Sequence, residues 1–248
     1  MIHLKTPEEI EIMREGGKRL MAVVTELVPM IKEGVTTKEI DNKAEELLIK
    51  NGTTPSFKRV KGYKWSTCLP INEQIVHTPP SERVIKSGDV VTLDIGAFYK
   101  GFHTDYADTV LVGEGDDKKK KFLEVGQRTL EKALQKAILD NHIGDISQVI
   151  QEEIYGNGYK ILRELTGHGV GKELHEDPFV PGYLDRPVEK TYKMPKGLVI
   201  AIEIIYSVSS ERIGYEDDNW SIITSDRSLS ACFEKTVAII DKNTCILT

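Results

Sequence analysis

Three apolar runs each carry a single acid. Val90-Val91-Thr92-Leu93-Asp94-Ile95 reads as a buried strand, as do Val199-Ile200-Ala201-Ile202-Glu203-Ile204-Ile205 and Ala231-Cys232-Phe233-Glu234-Lys235-Thr236-Val237. Short, β-branched runs of this kind suit strands covered on both faces. A carboxylate enclosed there costs several kcal/mol unless something compensates. Thr104 to Val112 reads as a strand returning from the first run through a turn at Ala97 to Gly101, so 90–112 forms a hairpin. Asp94 and Asp105 are symmetric about Tyr99-Lys100, which predicts cross-strand partners about 5 Å apart. At an effective dielectric of about 20, two such carboxylates repel by roughly 3 kcal/mol. A proton, a cation or a basic side chain must offset that repulsion. Lys235 is a poor partner for Glu234, because neighbouring strand residues point to opposite faces.

Imidazoles add to the pattern. His168 sits in Gly167-His168-Gly169-Val170-Gly171, where the glycines allow close backbone approach. His175 follows seven residues later as a candidate base or hydrogen-bond donor. His77 precedes the stiff segment Thr78-Pro79-Pro80. Asp94, Asp105, Glu203, Glu234 and His168 together form an oxygen-rich donor set with one nitrogen. Such a set suits Mn, Fe(II), Co or Zn better than thiolate-seeking metals. It exceeds what one catalytic zinc with an open position needs. Two divalent ions sharing bridging carboxylates fit it better.

The rest of the chain frames this set. Thr6-Pro7-Glu8-Glu9 and Thr36-x-x-Glu39 are capping boxes that open two helices, the first ending at Pro29 and the second at Asn51-Gly52. Thr53 to Pro80 reads as short strands and loops. Helices are expected at 117–139 and 145–155, and strands near 160–165, 199–206, 219–224 and 231–240. Gly88 to Asp94 and Gly197 to Glu203 share a plan: a Gly, a β-branched run, an acid six residues on, and two helices before each. The expected organisation is one domain over 1–248 with an internal duplication, about 1–112 and 113–248, each half offering carboxylates to a shared cleft.

Composition narrows the class. With 33 Lys plus Arg against 39 Asp plus Glu, the 248 residues carry a net charge of −6. That balance argues against a nucleic-acid surface as the main business. Three scattered cysteines give neither a disulfide framework nor a paired-thiolate metal motif, and suit a reducing compartment. No apolar run approaches the roughly 20 residues that span a membrane, and the first residues show no signal-peptide core. The expectation is a cytoplasmic enzyme.

On these residues the chain resembles type I methionine aminopeptidases of the pita-bread metallohydrolase fold, in the short bacterial-like form. The likeness runs from Leu4-Lys5-Thr6-Pro7-Glu8-Glu9-Ile10 to Cys245-Ile246-Leu247-Thr248. Its specific core is Leu93-Asp94-Ile95 with Asp105, Gly167 to Gly171 with His175-Glu176, Ile202-Glu203, and Glu234. The resemblance implies an α+β fold of two pseudo-symmetric α/β halves around a central curved antiparallel sheet. It implies two divalent metal ions: Asp94 chelating one, Asp105 and Glu234 bridging both, His168 and Glu203 completing the other. A hydroxide between them would attack the carbonyl of an N-terminal methionine, with Glu203 moving its proton. His175 would steady the carbonyl oxygen and His77 the scissile amide. Phe57, Tyr63, Cys68 and Trp220 align with the methionine pocket, whose soft sulfur and aromatic edges suit a thioether. Implied partners are nascent polypeptides with N-terminal Met and, as a candidate, the ribosome; a monomer, no specific nucleic acid and no membrane are expected.

The chain departs from the family pattern at Ile204, Lys235, Leu174 and Val60, where Pro, His, Phe and Tyr are usual, and at Thr78-Pro79-Pro80. Two readings stand beside the main one: another pita-bread aminopeptidase with shifted specificity, and a non-catalytic pita-bread binding module. A mononuclear iron oxygenase, suggested by His103-Thr104-Asp105, conflicts with the strong helices.

Overall fold

The structure is a computed structural model and describes residues 2–248. Helix α1 (Pro7–Leu27) and helix α2 (Thr37–Lys50) open the chain. Thr6 and Thr36 each accept from the backbone of a Glu three residues on, and that Glu bonds back, so both capping boxes form. Asn51 caps α2 and Gly52, at φ +72°, turns the chain out of it. Three short strands follow: β1 (Thr54–Pro55), β2 (Thr67–Cys68) and β3 (Gln74–Val76). The hairpin is β4 (Val90–Tyr99) and β5 (Phe102–Leu111). Helices α3 (Asp117–Leu134) and α4 (Ile143–Gly156) come next. Then come β6 (Lys160–Ile161), β7 (Thr166–Gly169), β8 (Glu176–Pro181), β9 (Val199–Ser207), β10 (Ile213–Tyr215), β11 (Ile222–Thr224), β12 (Ser230–Ile239) and β13 (Thr244–Ile246).

One antiparallel sheet carries the molecule, in the order β1-β4-β5-β12-β9-β7-β8, with β2, β13 and β6 pairing onto β4, β12 and β9. A small second sheet runs β10-β11-β3. Strand alternation sorts the side chains. Val91, Leu93, Ile95 and Ala97 of β4 face α1 and α2 in one core cluster. Ile200, Ile202, Ile204 and Tyr206 of β9, with Phe233 and Val237 of β12, face α3 and α4 in another. The residues between them point the other way. There Ile75, Ala107, Leu162, Ile205, Ile222 and Cys232 make a further buried cluster. Both faces are therefore covered, which is why these strands read as continuous apolar runs.

The two strand pairs begin alike. Gly88 at φ +87° donates to Val112 O at 2.7 Å, and Gly197 at φ +90° donates to Ile239 O at 2.8 Å. Val112 N returns to Asp89 O and Ile239 N to Leu198 O, both at 2.8 Å.

Several boundaries differ from the sequence reading. β4 runs on to Tyr99, because Lys100 (φ +47°) and Gly101 (φ +94°) reverse the chain in two residues. The register shifts with the turn. Asp94 faces Ala107 and Asp105 faces Gly96, so the two acids are diagonal neighbours rather than directly opposed. Helix α3 stops at Leu134; Lys136 and Ala137 then donate to carbonyls three residues back, tightening the chain out of the α-helix. Helix α4 starts at Ile143, because His142 N donates to Asp145 Oδ2 and caps it there. The strand expected near 160–165 reduces to β6, with β7 starting just beyond it, and that near 219–224 reduces to β11. No helix among the described residues is long and apolar enough to cross a membrane.

Candidate active site

The helix-free face of the sheet collects the acids. Across one row, Asp94 of β4 faces Ala107 of β5, Ala107 faces Glu234 of β12, and Glu234 faces Glu203 of β9. Two residues along, Gly96 faces Asp105, and Thr236 faces Ala201, which faces His168 of β7. Thr236 Oγ1 ties that second row together, accepting from Asp105 N and donating to Asp105 O, both at 2.9 Å. Ligand atoms of Asp105, His168 and Glu234 lie within 4.8 Å of one another, and all three residues are buried. Asp94 and Glu203 flank them and reach the cleft.

Electrostatics set these acids apart from structural ones. Asp41, also buried, has one carboxylate oxygen accepting from Ser66 N, Thr67 N and Thr67 Oγ1. Glu234 Oε1, by contrast, is buried with no hydrogen-bond partner. Burial pushes Asp105 up to about 7. Burial, then the neighbouring carboxylates, hold Asp94 and Glu234 well above the usual carboxylate range. Glu203 is raised by burial and then by Asp105. His168 goes the other way, to about 3, because burial and then the neighbouring His175 oppose a positive ring.

The His168 tautomer follows from its contacts. Its Nδ1 lies 2.8 Å from Gly169 O, and a carbonyl only accepts, so Nδ1 carries the proton. Nε2 is left with a lone pair, 3.4 Å from Glu203 Oε1. Two acceptors at that distance call for a proton or a cation between them. Together with the orphaned Glu234 oxygen, this fits a divalent cation among hard oxygen donors and one imidazole.

The acid rows form the floor of a cleft of about 300 Å³. Its apolar end is a buried cluster of Phe57, Tyr63, Cys68 and Leu174, with Val60 and Trp220 packed against it. Tyr63 meets Phe57 and Trp220 edge-on at centroid distances of 6.4 and 5.0 Å. Its hydroxyl donates to Thr67 O at 2.8 Å and lies 3.1 Å from Cys68 Sγ. Cys68 is the cross-strand partner of Asp94, so its sulfur marks the border between apolar slot and acid floor. His77 (φ +58°) and His175 enter from the rim. Crowding by protein lowers both, His77 with a further contribution from His175. The His175 ring packs edge-on against His168 at 4.4 Å.

Every residue the sequence reading placed in the site lines this cleft: His77, Asp94, Asp105, His168, His175, Glu203, Glu234, Phe57, Tyr63, Cys68 and Trp220. His103 does not; it is buried beside the turn, its Nδ1 2.8 Å from Ser56 Oγ. The sequence reading missed Val76, Glu164, Leu165, Thr166, Phe179 and Ile205. Ile205 could have been found by counting two residues from Glu203 on the same strand face. Phe179 and Glu164 carry no signal in sequence.

Comparison with known proteins agrees with this geometry. The model of metallopeptidase family M24 matches residues 11–241. A methionine aminopeptidase of Bacillus subtilis is 42% identical over 248 residues, covering 100% of this chain and 99% of that protein. One from Clostridium perfringens is 40% identical over 248 residues with the same coverage. The crystal structure of methionine aminopeptidase from Thermotoga maritima superposes with a TM-score of 0.96 at 38% identity, over 100% of this chain and 99% of that one. The architecture is the pita-bread fold. With the family model spanning the acid rows, the histidines and the cleft between them, the chain belongs to metallopeptidase family M24.

Proposed function

We propose that the cleft removes N-terminal methionine from peptides and nascent polypeptides. The observation that carries this reading is the junction of an apolar, sulfur-bordered slot with a floor of unpaired acids. The slot of Phe57, Tyr63, Cys68, Leu174 and Trp220 takes the thioether side chain. With the side chain in the slot, the scissile carbonyl would lie over the acid floor.

Asp94, Asp105, His168, Glu203 and Glu234 would hold two divalent ions. Bound there, such ions supply Lewis acidity and lower the pKa of a water molecule. The protein does the rest. Glu203, which bound cations would keep ionised, would accept a proton from the attacking water and pass it toward the departing amine. His175 donates to the carbonyl oxygen as negative charge develops on it. His77, also at the rim, would hydrogen-bond the scissile amide. Low-pKa, neutral imidazoles suit both tasks, since they donate without adding net charge.

The matched hydrogen bonds at Gly88 and Gly197 support descent of the two halves, about 1–112 and 113–248, from one duplicated unit. The reading places the protein in the cytoplasm, where chains emerge from the ribosome.

The test is metal replacement. The protein is stripped of metal and reloaded with Mn, Fe(II), Co or Zn in turn. It is then assayed on Met-Ala and Met-Gly peptides beside Leu- and Pro-containing controls. Metal-dependent release of methionine, with little from the controls, is expected. Silence under every metal would support a non-catalytic binding module.

A further inference from the structure

A second buried charge pair lies outside the acid rows. Lys5 Nζ and Glu176 Oε2 are 2.6 Å apart, with side chains only 3% and 7% exposed. The surroundings are shaped around Lys5. Its ammonium also donates to His3 O at 3.0 Å, and its backbone N donates to Gly197 O at 2.7 Å. A Cβ on Gly171 would collide with Lys5 Cε and stand 2.7 Å from Glu176 Oε1. A Cβ on Gly197 would stand 2.7 Å from Lys5 O. Two glycines thus make room for one lysine.

Glu176 opens β8, immediately after His175, and is the cross-strand partner of Gly169, which follows His168. Its second oxygen accepts from Glu173 N at 3.1 Å, closing the loop that leads into His175. Gly171 N donates to Glu173 O at 3.0 Å, and Gly171 O accepts from His103 N at 2.7 Å. His175 itself has no such anchor: among the described residues no hydrogen bond reaches its ring, and its one aromatic contact is His168. Lys172 and Glu173 are exposed, and the loop's packing anchor before His175 is Leu174, buried in the apolar slot. The place of the His175 ring is therefore set by its backbone, which Leu174 holds on one side and Glu176 on the other.

We propose that Lys5 is a positioning residue for His175, acting through the buried Lys5–Glu176 pair. This rests on the reading of His175 as donor to the substrate carbonyl oxygen. The pair fixes the start of β8 so that the ring enters the cleft in one orientation. Catalysis is sensitive to such placement, since a displacement of about 1 Å costs on the order of 100-fold.

The test uses the full-length, metal-loaded protein on a Met-Ala peptide. Glu176→Gln keeps the shape and one hydrogen bond of the pair; Lys5→Met removes the charge. Each is expected to lower kcat by about 10-fold or more, with KM within about twofold and metal content unchanged. Lys5→Arg should recover most of the rate. In the His175→Ala background, Lys5→Met should cost almost nothing further, because the group it positions is gone. Ile40→Val, a core change in α2, controls for lost stability: it should lower the melting temperature and leave kcat alone. Unchanged kcat in either pair variant, a loss confined to KM, or losses that multiply in the double variant would each overturn the proposal. A wild-type protein silent on every methionine peptide would instead overturn the functional reading beneath it.

Discussion

Glu203 and Glu234 are direct cross-strand partners, and Glu234 also faces Ala107 on its other side. Two glutamates opposed at the centre of a covered sheet repel, and like charges in that position destabilise a strand pair. Burial first, then Asp105 and, for Glu234, also Glu203 and Asp94, drives their carboxyl groups toward the protonated form. A sheet built this way is most stable when positive charge sits on its floor.

Asp105→Asn tests that floor. The amide has nearly the shape of the carboxylate but cannot bridge cations. Turnover should fall by more than about 100-fold, the range that loss of an outer partner alone can reach, and bound metal should drop. The chelated variant should melt higher than the chelated parent, because one repelling acid is gone. Metal analysis, kinetics and melting curves check all three; full activity would sink the assignment of Asp105 as a bridge.

The metal-free protein should lose stability as pH rises from about 7.5 to 8.5. Asp105 is raised to about 7, and Asp94, Glu203 and Glu234 are raised well above their ordinary values. Stability falls with rising pH wherever the folded acids keep protons that the unfolded chain has lost; the Asp105 share is spent near 7, and the other three acids carry the fall beyond it. His168, lowered to about 3, and His103, lowered to about 4, have the opposite sign, as do His77 and His175; their contribution grows through the ordinary value of 6.5 and is spent about one unit above it, below this window. Melting temperatures in a chelator across this window decide the matter. A flat or rising profile contradicts the protonation state given to the acid rows.

His175→Ala should damage the chemical step. Removing a donor to a developing oxyanion costs about 100- to 1,000-fold in kcat. KM should move by about threefold or less, because the apolar slot is untouched. A variant that loses affinity and keeps its turnover would speak against an oxyanion role.

Gly96→Ala should loosen the methionine slot from behind. A Cβ there would stand 2.7 Å from Ser56 Cβ and 3.1 Å from Phe57 Cε1. Overpacking of this kind typically costs about 1–3 kcal/mol. Phe57 must shift, so KM for methionine peptides should rise more than kcat falls. Denaturant unfolding beside steady-state kinetics would reveal it, and unchanged values in both would refute the packing argument.

Sequence legibility followed chemistry. Thr6 and Thr36 announced their helices because a capping box is local. Asp94, Glu203 and Glu234 stood out because an acid in an apolar strand has few innocent explanations. The diagonal offset of Asp94 and Asp105 did not show, because it hangs on Lys100 adopting a positive φ, which its side chain does not advertise. The pairing of Lys5 with Glu176 did not show either: both stand in the motifs behind the resemblance, but only the fold brings residues 171 positions apart to 2.6 Å. Phe179 lines the cleft while remaining 70% exposed, and nothing in its neighbours marks it as part of a site.

The middle position of β12 has a consequence for biosynthesis. It is the last of the long strands to be made, yet it lies between β5 and β9. A growing chain that has reached residue 229 therefore carries two open strand edges with no partner for either. Open edges are templates for pairing with other chains, and closing them requires slow, non-local contacts. Insertion of β12 ends that exposure and delivers Glu234 in the same event. Because Glu234 arrives opposite Glu203, cations should ease the last step of assembly, and metal starvation during synthesis should favour aggregates over finished enzyme.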